Sequence, residues 1–221
     1  MNKNLTADEW KAIGQQLGHP KGELGLTVAK NMQASNVLMV EKAVELLHLT
    51  GNEKILEIGY GPAAHVEELL EVFEGLEYHG LEISELMHQA AHKVNSSEVK
   101  SGKAQFHLYD GKKFPFASGS FDKVMTVNTI YFWEDPKEMA GEVFRVLEEG
   151  GNFSLAFAQK SFLEKLPFTQ SNFKLYDVDM VEDLMYEEGF TIIEQVDVRE
   201  KLKSDPLGVL EREFTVMRFI K

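Results

Sequence analysis

Acidic residues and glycines stand together at three points of the 221-residue chain, each time at the end of a short apolar run. The first run, residues 54–58, carries Glu57 and leads into Gly59 and Gly61, two glycines separated by one residue. A strand that turns into a helix without bulky side chains lets backbone N–H groups approach an anion or a ribose. The spacing therefore predicts a nucleotide-type pocket, although glycine pairs also mark ordinary turns and Glu57 is also suited to capping a helix.

Two further acids, Glu82 and Asp110, repeat this pattern along the chain. Glu82 lies in the run 78–83, near the offset of roughly 20 residues at which a nucleotide-binding βαβ unit places the acid that binds ribose hydroxyls. Asp110 and Gly111 follow the next run, where an Asp-Gly pair is also compatible with a simple turn. Because the carboxyl ends of parallel strands meet at one edge of a sheet, we expect all three acids at that edge.

The elements that must position these acids alternate between helix and strand patterns. Apolar residues at helical spacing predict helices, and short runs rich in β-branched and aromatic residues predict strands. We expect Gly18, Gly22 and Gly25 to break the helical pattern between the first two helices. The predicted helices cover residues 6–17, 28–49, 66–73, 84–94, 136–147 and 178–188, and the predicted strands cover 54–58, 78–83, 104–111, 121–128, 152–158, 189–198 and 213–220.

This order of elements predicts an α/β fold. We expect a Rossmann-like, doubly wound, mostly parallel seven-stranded sheet with helices on both faces and a C-terminal antiparallel hairpin. Residues 1–50 are expected to form an N-terminal helical lead-in and cover, and residues 51–221 the core domain. Residues 159–175 show no clean period, and we expect them to cover the site as well.

Composition limits the classes of partner. The net charge of −13 and the lack of a Lys/Arg stripe argue against a nucleic acid. The chain has no cysteine, which excludes disulfides and thiolate catalysis. No window approaches the roughly 18 apolar residues of a membrane span, which favours a cytoplasmic location. His88 and His92 stand four residues apart without a third ligand at metal spacing, so we expect no metal site.

Taken in order, these motifs resemble the class I S-adenosylmethionine-dependent methyltransferases over roughly residues 30–200. The resemblance is closer to the small-molecule branch, which includes the ubiquinone/menaquinone-biosynthesis type. Three positions depart from the family pattern: Ala63 stands where a third glycine is common, Glu82 where Asp often stands, and Glu149 where Pro is frequent. The segments that carry the resemblance are residues 56–61, 80–84, 110–111, 114–124 and 142–151.

The resemblance implies S-adenosylmethionine as the cofactor and assigns roles to individual residues. Glu82 would accept the ribose hydroxyls, Ile83 would pack on the adenine, and Asp110 would accept from the adenine amine. Glu57 would either organise the glycine turn or attract the cationic methionine end, and Asn128 would line the reactive side of the cofactor. The residues implied to contact the cofactor are Met32, Glu57, Gly59, Tyr60, Gly61, Glu82, Ile83, Asp110, Gly111 and Asn128.

The implied function is methyl transfer to a small-molecule acceptor by in-line displacement, a reaction in which positioning supplies much of the rate. The catalytic residues stay unknown, with His19, His65 and Tyr131 as candidates for a general base. Two other functions stay open. An NAD(P)-dependent oxidoreductase is one, because residues 59–64 also satisfy the dinucleotide fingerprint, and a catalytically silent methyltransferase-like binding protein is the other. The oligomeric state is open too, and a homodimer is one option.

Overall fold

The computed structural model describes residues 5–170, 172–204 and 207–221, and within them seven strands form one sheet. The strands are β1 (Lys54–Ile58), β2 (Glu77–Glu82), β3 (Ala104–Leu108), β4 (Phe121–Val127), β5 (Leu147–Ala158), β6 (Thr191–Ser204) and β7 (Gly208–Ile220). The helices are α1 (Ala7–Gly18), α2 (Gly22–Leu47), α3 (Val66–Val72), α4 (Glu85–Val94), α5 (Ser96–Lys100), α6 (Pro136–Val146), α7 (Lys160–Leu163) and α8 (Val178–Glu187).

The strand order in the sheet is β3-β2-β1-β4-β5-β7-β6. The first five strands in the chain pair in parallel, whereas β7 is antiparallel to both β5 and β6. This arrangement confirms the predicted mostly parallel sheet with a C-terminal antiparallel hairpin. The strand order reverses between β1 and β4, which is the point where open α/β sheets bind ligands outside the carboxyl ends of their strands.

The core encloses the central strands from both sides. Ile55 and Leu56 are neighbours on β1 whose side chains point to opposite faces, and both are fully buried. Such burial on both faces is typical of parallel sheets. α2 packs on β4, β5 and β7, while α4 packs on β2 and β3. β1 is therefore fixed on both faces, and the turn that follows it starts from a rigid strand.

The N-terminal glycines do not all act as predicted. Gly18 ends α1, but the expectation that Gly22 and Gly25 lie in the break between the first two helices is wrong, because both belong to α2, which runs from Gly22 to Leu47. Gly25 is buried, and a Cβ on it would lie 2.9 Å from the carbonyl carbon of Pro20. The glycine thus permits close packing of the α1–α2 connection on α2. No helix among the described residues is long and apolar enough to cross a membrane.

α1 and the segment after β5 lie against each other. A capping box formed by Thr6 and Glu9 starts α1. The Asn172 side-chain amide donates to the Gly14 carbonyl over 2.9 Å, and the Trp10 and Phe168 rings lie 6.3 Å apart. The division into a cover, residues 1–50, and a core, residues 51–221, stays a prediction. Residues 1–4, residue 171 in the expected second cover segment and residues 205–206 lie outside the described residues.

The C-terminal hairpin extends beyond the predicted strands 189–198 and 213–220. Its outer part pairs Arg199 with Glu213 and Lys201 with Glu211 across the two strands. Arg199, Lys201 and Glu211 lie beyond the predicted strands, in a mostly charged stretch without apolar alternation, so the periodicity does not predict a strand there. β5 also begins earlier than predicted, at Leu147, which pairs with Phe121 before the glycines at 150 and 151.

Two histidines stack on neighbouring strands of the sheet. His79 on β2 is 4% exposed, and its Nδ1 lies 3.3 Å from Nε2 of His107 on β3. The Nε2 of His79 lies 2.8 Å from Glu77 Oε1, and the two imidazole planes are nearly parallel. Burial lowers the pKa of both histidines, and the charge of His79 further lowers the pKa of His107. Both rings therefore resist protonation more than a histidine in the unfolded chain does.

We expect the contribution of this histidine pair to the free energy of unfolding to be at its full value above about pH 6.5 and to decrease as the pH falls below it. Below 6.5, which is the ordinary pKa of histidine, the unfolded chain takes up protons that the folded pair resists. Urea unfolding at several pH values measures the effect. His107→Gln should give a shallower pH dependence than the parent chain, and equal slopes for the two proteins would contradict this explanation.

Candidate functional site

A cavity opens at the carboxyl ends of β1, β2 and β4, beside α1 and α2. It encloses about 770 Å³, including the space at its mouth. Most of its wall is apolar, and Glu82 is its one carboxylate among the described residues. The residues around it are Leu17, Gly18, Pro20, Ala29, Met32, Ile58, Gly59, Gly61, Pro62, Glu82, Ile83, Met87, Tyr109, Gly111, Val127, Asn128, Thr129, Phe132, Trp133 and Met139.

The Glu82 carboxylate is buried and held by three backbone N–H groups. Its Oε1 accepts from Ile83 at 2.8 Å and from Ser84 at 2.9 Å, and its Oε2 accepts from Gly61 at 3.0 Å. Burial raises the pKa of Glu82 above its ordinary value, although the three N–H groups oppose the shift. A carboxylate offers about four acceptor positions, so Oε2 keeps one for a ligand.

The two glycines of the turn after β1 lie in the cavity wall and bring no side chain to it. Gly59 has a φ of +75°, and a Cβ on it would overlap Cγ2 of Thr129. Gly61 has a φ of +56°, and a Cβ on it would meet no atom within 4 Å. Ala63 also has a positive φ, of +52°, at the place where the family resemblance led us to expect a third glycine. Gly61 therefore leaves open space at the cavity, whereas Gly59 permits the close contact between the turn and the Thr129 side chain.

Glu57 lies behind this turn and outside the cavity wall. Its Oε2 accepts from the Tyr78 hydroxyl at 2.6 Å and lies 2.8 Å from His65 Nε2. Burial lowers the pKa of His65, but the carboxylate of Glu57 raises it more, so the net shift is upward. Glu57 thus joins β1 to β2 and to the start of α3, which supports its role as organiser of the turn. His65, a candidate base, is held by this contact.

Tyr60 points away from the cavity. Its hydroxyl lies 2.9 Å from His88 Nδ1, and its ring meets Phe106 edge-on at 5.0 Å. Burial, and then the charge of Glu82, raise the pKa of the Tyr60 hydroxyl. Gly80 makes room for this ring, since a Cβ on Gly80 would overlap it. A contact between Tyr60 and the cofactor would therefore involve its backbone, and it stays a prediction.

Asn128 lies in the cavity wall at the end of β4, with a φ of +58°. Its side-chain amide donates to Asn36 Oδ1 at 3.0 Å, and its Oδ1 accepts from the Tyr131 hydroxyl at 2.9 Å. Tyr131 is buried, also contacts the backbone of Ala158, and has a raised pKa because of its burial. Its hydroxyl is thus engaged inside the protein rather than at the cavity.

The other predicted residues divide between the cavity and its surroundings. Met32, Ile83 and Gly111 lie in the cavity wall. Asp110 is exposed, and its Oδ1 accepts from the backbone N–H groups of Lys112 and Lys113, which lower its pKa. His19 follows the wall residue Gly18, but its own ring is not in the wall, and burial and then the charge of Lys21 lower its pKa.

Several wall residues escaped sequence reasoning. Tyr109 and Met87 lie in the wall beside predicted residues, but neither carries a motif. The only available signal for Tyr109 was its place directly before Asp110. Trp133 is buried and lies in the cavity wall, and its Nε1 donates to Thr129 Oγ1 at 3.2 Å. Among the described residues no group of three or more His, Cys, Asp or Glu could hold a metal ion.

The site fits a nucleoside cofactor on two observations. The Glu82 carboxylate keeps an acceptor position for a hydroxyl, and Gly61 leaves open space directly beside it. The apolar side chain of Ile83 and the ring of Tyr109 lie in the same wall and suit the face of a base. The strand patterns predict an acid and a glycine turn at one sheet edge, and the structure adds an apolar wall beside them.

Part of the chain is similar in sequence to a known protein family and to individual proteins. Residues 56–155 match the family model described as a methyltransferase domain. The uncharacterised methyltransferase YdaC of Bacillus subtilis is 27% identical over 125 residues, which are 56% of this chain and 66% of that protein. An O-methyltransferase of Pyrenophora dematioidea is 24% identical over 183 residues, 79% of this chain and 67% of its own. This chain thus spans about two thirds of the length of these curated relatives.

A solved structure shares the fold at lower sequence identity. The S-adenosylmethionine-dependent methyltransferase from Aquifex aeolicus aligns with a TM-score of 0.65 at 17% identity, over 82% of this chain and 89% of that one. The chain therefore shares its fold with this enzyme, and residues 56–155, slightly less than half of the chain, resemble a methyltransferase domain. These similarities favour methyl transfer over the oxidoreductase and the silent binding protein.

The two glycines of the turn should respond differently to substitution. Gly59→Ala should destabilise the fold by about 2 kcal/mol or more, since it combines a positive φ with overlap at Thr129. Gly61→Ala carries the same kind of φ strain without the overlap, so its loss of stability should be smaller. Urea unfolding of both variants measures the difference. Equal losses would show that the contact with Thr129 relaxes freely.

Proposed function

We propose that this chain transfers a methyl group from S-adenosylmethionine to a small acceptor with an apolar or aromatic body. The observation that carries the proposal is the buried Glu82 carboxylate, which lies in the cavity wall with an acceptor position unused. In the proposed arrangement Glu82 accepts a ribose hydroxyl, Ile83 packs on the adenine, and Gly61 leaves room between them. Asp110 would meet the adenine amine from the rim of the cavity, through the oxygen that its own turn leaves free.

When bound, S-adenosylmethionine supplies a methyl group on a positively charged sulfur. The protein's part is to orient the acceptor and to exclude water, and holding two reactants in line supplies much of the rate. Phe132 and Trp133 bring aromatic rings to the cavity wall. An aromatic face near a cation contributes about 0.5–2 kcal/mol. Met32 and Leu17 complete an apolar side that favours an acceptor with an apolar body.

The proposal assigns no general base. His65 is held by Glu57, and the Tyr131 hydroxyl is engaged by Asn128 and Ala158. His19 remains the candidate nearest the cavity, since the residues on both sides of it, Gly18 and Pro20, are in the wall. Removal of its imidazole, in His19→Gln, is the direct check on a role in proton transfer.

The names of relatives support a hydroxyl group as the first acceptor to test. The proteins of Pyrenophora dematioidea and Aspergillus sclerotiorum that resemble this chain are both named O-methyltransferases. The net charge of −13 further supports a small molecule rather than a nucleic acid. We propose that α1 and residues 159–175 form the cover that selects this acceptor. A cytoplasmic location and a homodimer stay predictions.

Replacing the buried acid should weaken the cofactor site. Glu82→Gln should lower the affinity for S-adenosylhomocysteine about tenfold or more, because a hydrogen bond to a charged group is lost. Glu85→Gln, an exposed acid at the start of α4, is the matched control and should bind normally. Calorimetric titration measures the affinity. Since the pKa of Glu82 is raised, binding by the parent chain should weaken as the pH falls towards that pKa, and binding by Glu82→Gln should depend less on pH.

Turnover tests the reaction itself. Purified chain, radiolabelled S-adenosylmethionine and a panel of phenols, aliphatic alcohols, thiols and amines should yield labelled product, first with the aromatic hydroxyl compounds. Tight cofactor binding without turnover across this panel would favour the silent binding protein. Thermal stabilisation by NAD(H) and none by S-adenosylmethionine would overturn the proposal in favour of the oxidoreductase.

A further inference from the structure

A buried arginine links the C-terminal hairpin to the cavity. Arg212 on β7 is 4% exposed and lies opposite Glu200 on β6, whose Oε1 accepts from its Nη2 at 2.6 Å and from its Nε at 3.1 Å. The same guanidinium reaches α2. Nη2 donates to the Ser35 carbonyl at 2.7 Å, and Nη1 donates to Asn36 Oδ1 at 3.2 Å. One side chain therefore joins both strands of the hairpin to the middle of α2.

The chain of hydrogen bonds continues from α2 to the cavity wall. Asn36 Oδ1 accepts from Arg212 and also from the Asn128 side-chain amide, at 3.0 Å. Because a guanidinium has only donors, Arg212 requires the oxygen of Asn36, rather than its nitrogen, to face it. That oxygen in turn requires the nitrogen of Asn128. The oxygen of Asn128 is also set by the Ala158 N–H, which can only donate, so Arg212 at one end and this N–H at the other together fix the direction of the bonds in the chain.

The side-chain amide of Asn128 has hydrogen-bond partners at both its nitrogen and its oxygen, so it cannot rotate without losing them. Its nitrogen also lies 3.1 Å from the Met39 sulfur, and its oxygen accepts from the Tyr131 hydroxyl and from the Ala158 N–H. The side chain therefore clamps α2 to the ends of β4 and β5. This clamp holds a positive-φ backbone in the cavity wall. A rotated Asn36 amide would place a donor opposite the donor of Asn128 and loosen the clamp.

We propose that Arg212 is a positioning residue for the cofactor site, acting on Asn128 through Asn36. The inference rests on the proposed function, because it takes the cavity at Asn128 as the place of the cofactor. Arg212, Glu200 and Asn36 all lie outside residues 56–155, so these three members of the hydrogen-bond chain are not part of the segment that matches the family model. The planar guanidinium is suited to the task, because its donors reach Glu200 and α2 at once, whereas a lysine ammonium is a point charge.

The experiment compares two ion pairs of the same hairpin. Arg212→Met combined with Glu200→Gln removes the buried pair without leaving a buried charge alone. Arg199→Met is the matched control, because Arg199 forms a cross-strand pair with Glu213 at 2.7 Å but is 84% exposed in its side chain. We expect the first variant to lower the affinity for S-adenosylhomocysteine about three- to thirtyfold. The control should bind as the parent chain does.

A double-mutant cycle separates positioning from general loosening. Asn128→Gly keeps a residue that accepts a positive φ but removes the side chain on which Arg212 acts. In the Asn128→Gly background the substitutions at Arg212 and Glu200 should cause no further loss of affinity, because the Asn128 side chain through which Arg212 acts is already absent. Equal losses with and without the Asn128 side chain would overturn the proposal, as would unchanged affinity in the first variant.

A conservative variant supplies a readout that does not require ligand. In Arg212→Lys, the side-chain amide resonances of Asn36 and Asn128 should shift in ¹⁵N-correlated NMR spectra, while those of Asn152, which bonds Arg218, should stay in place. Unmoved Asn36 and Asn128 signals would overturn the proposal. If the parent chain fails to bind S-adenosylhomocysteine, the proposed function fails instead, and the NMR result still decides whether Arg212 orients Asn128.

Discussion

The buried carboxylate of Glu82 is the interaction on which the rest of the site depends. A charge taken out of water must be compensated, and here the donors are backbone N–H groups of two separate βα turns, one at Gly61 and one at Ile83 and Ser84. Ser84 also caps α4 and donates to the Pro20 carbonyl at 2.7 Å. One acid therefore holds the glycine turn, α4 and the α1–α2 connection around a common space.

Much of this arrangement could be predicted from the sequence, because it follows from strand periodicity and from the rule that parallel strands end at one edge. Glu82, Gly59 and Gly61 were found by their spacing alone. Arg212 and Asn36 could not be found in this way, since their pairing depends on tertiary contacts between distant segments. Gly25 was misassigned because its role is close packing, which leaves no local pattern. Tyr60 was included for its place in the motif, although the direction of its ring depends on the space above Gly80.

The three strand-end acids perform different physical tasks despite similar sequence positions. Glu57 is enclosed and bridges Tyr78 and His65, so its charge serves the protein interior. Glu82 lies at the cavity with spare acceptor capacity, and Asp110 is exposed and holds its own turn. Glu57 and Glu82 are buried to a similar degree, so their neighbours separate them: Glu57 is bonded by side chains behind the turn, whereas Glu82 lines the cavity. These neighbours come from distant parts of the chain, which explains why the sequence alone leaves the role of Glu57 open.

The position of β7 in the sheet bears on how the chain is made. β7 is synthesised after every other strand of the sheet, yet it inserts between β5 and β6 and pairs with β5 along its buried half. Until it emerges from the ribosome, β5 presents Phe153, Leu155 and Phe157 on an unpaired edge. Any sheet that β1 to β5 form before β7 is made would therefore have an unpaired edge at β5. The partly made protein is expected to need protection by chaperones until its hairpin closes that edge.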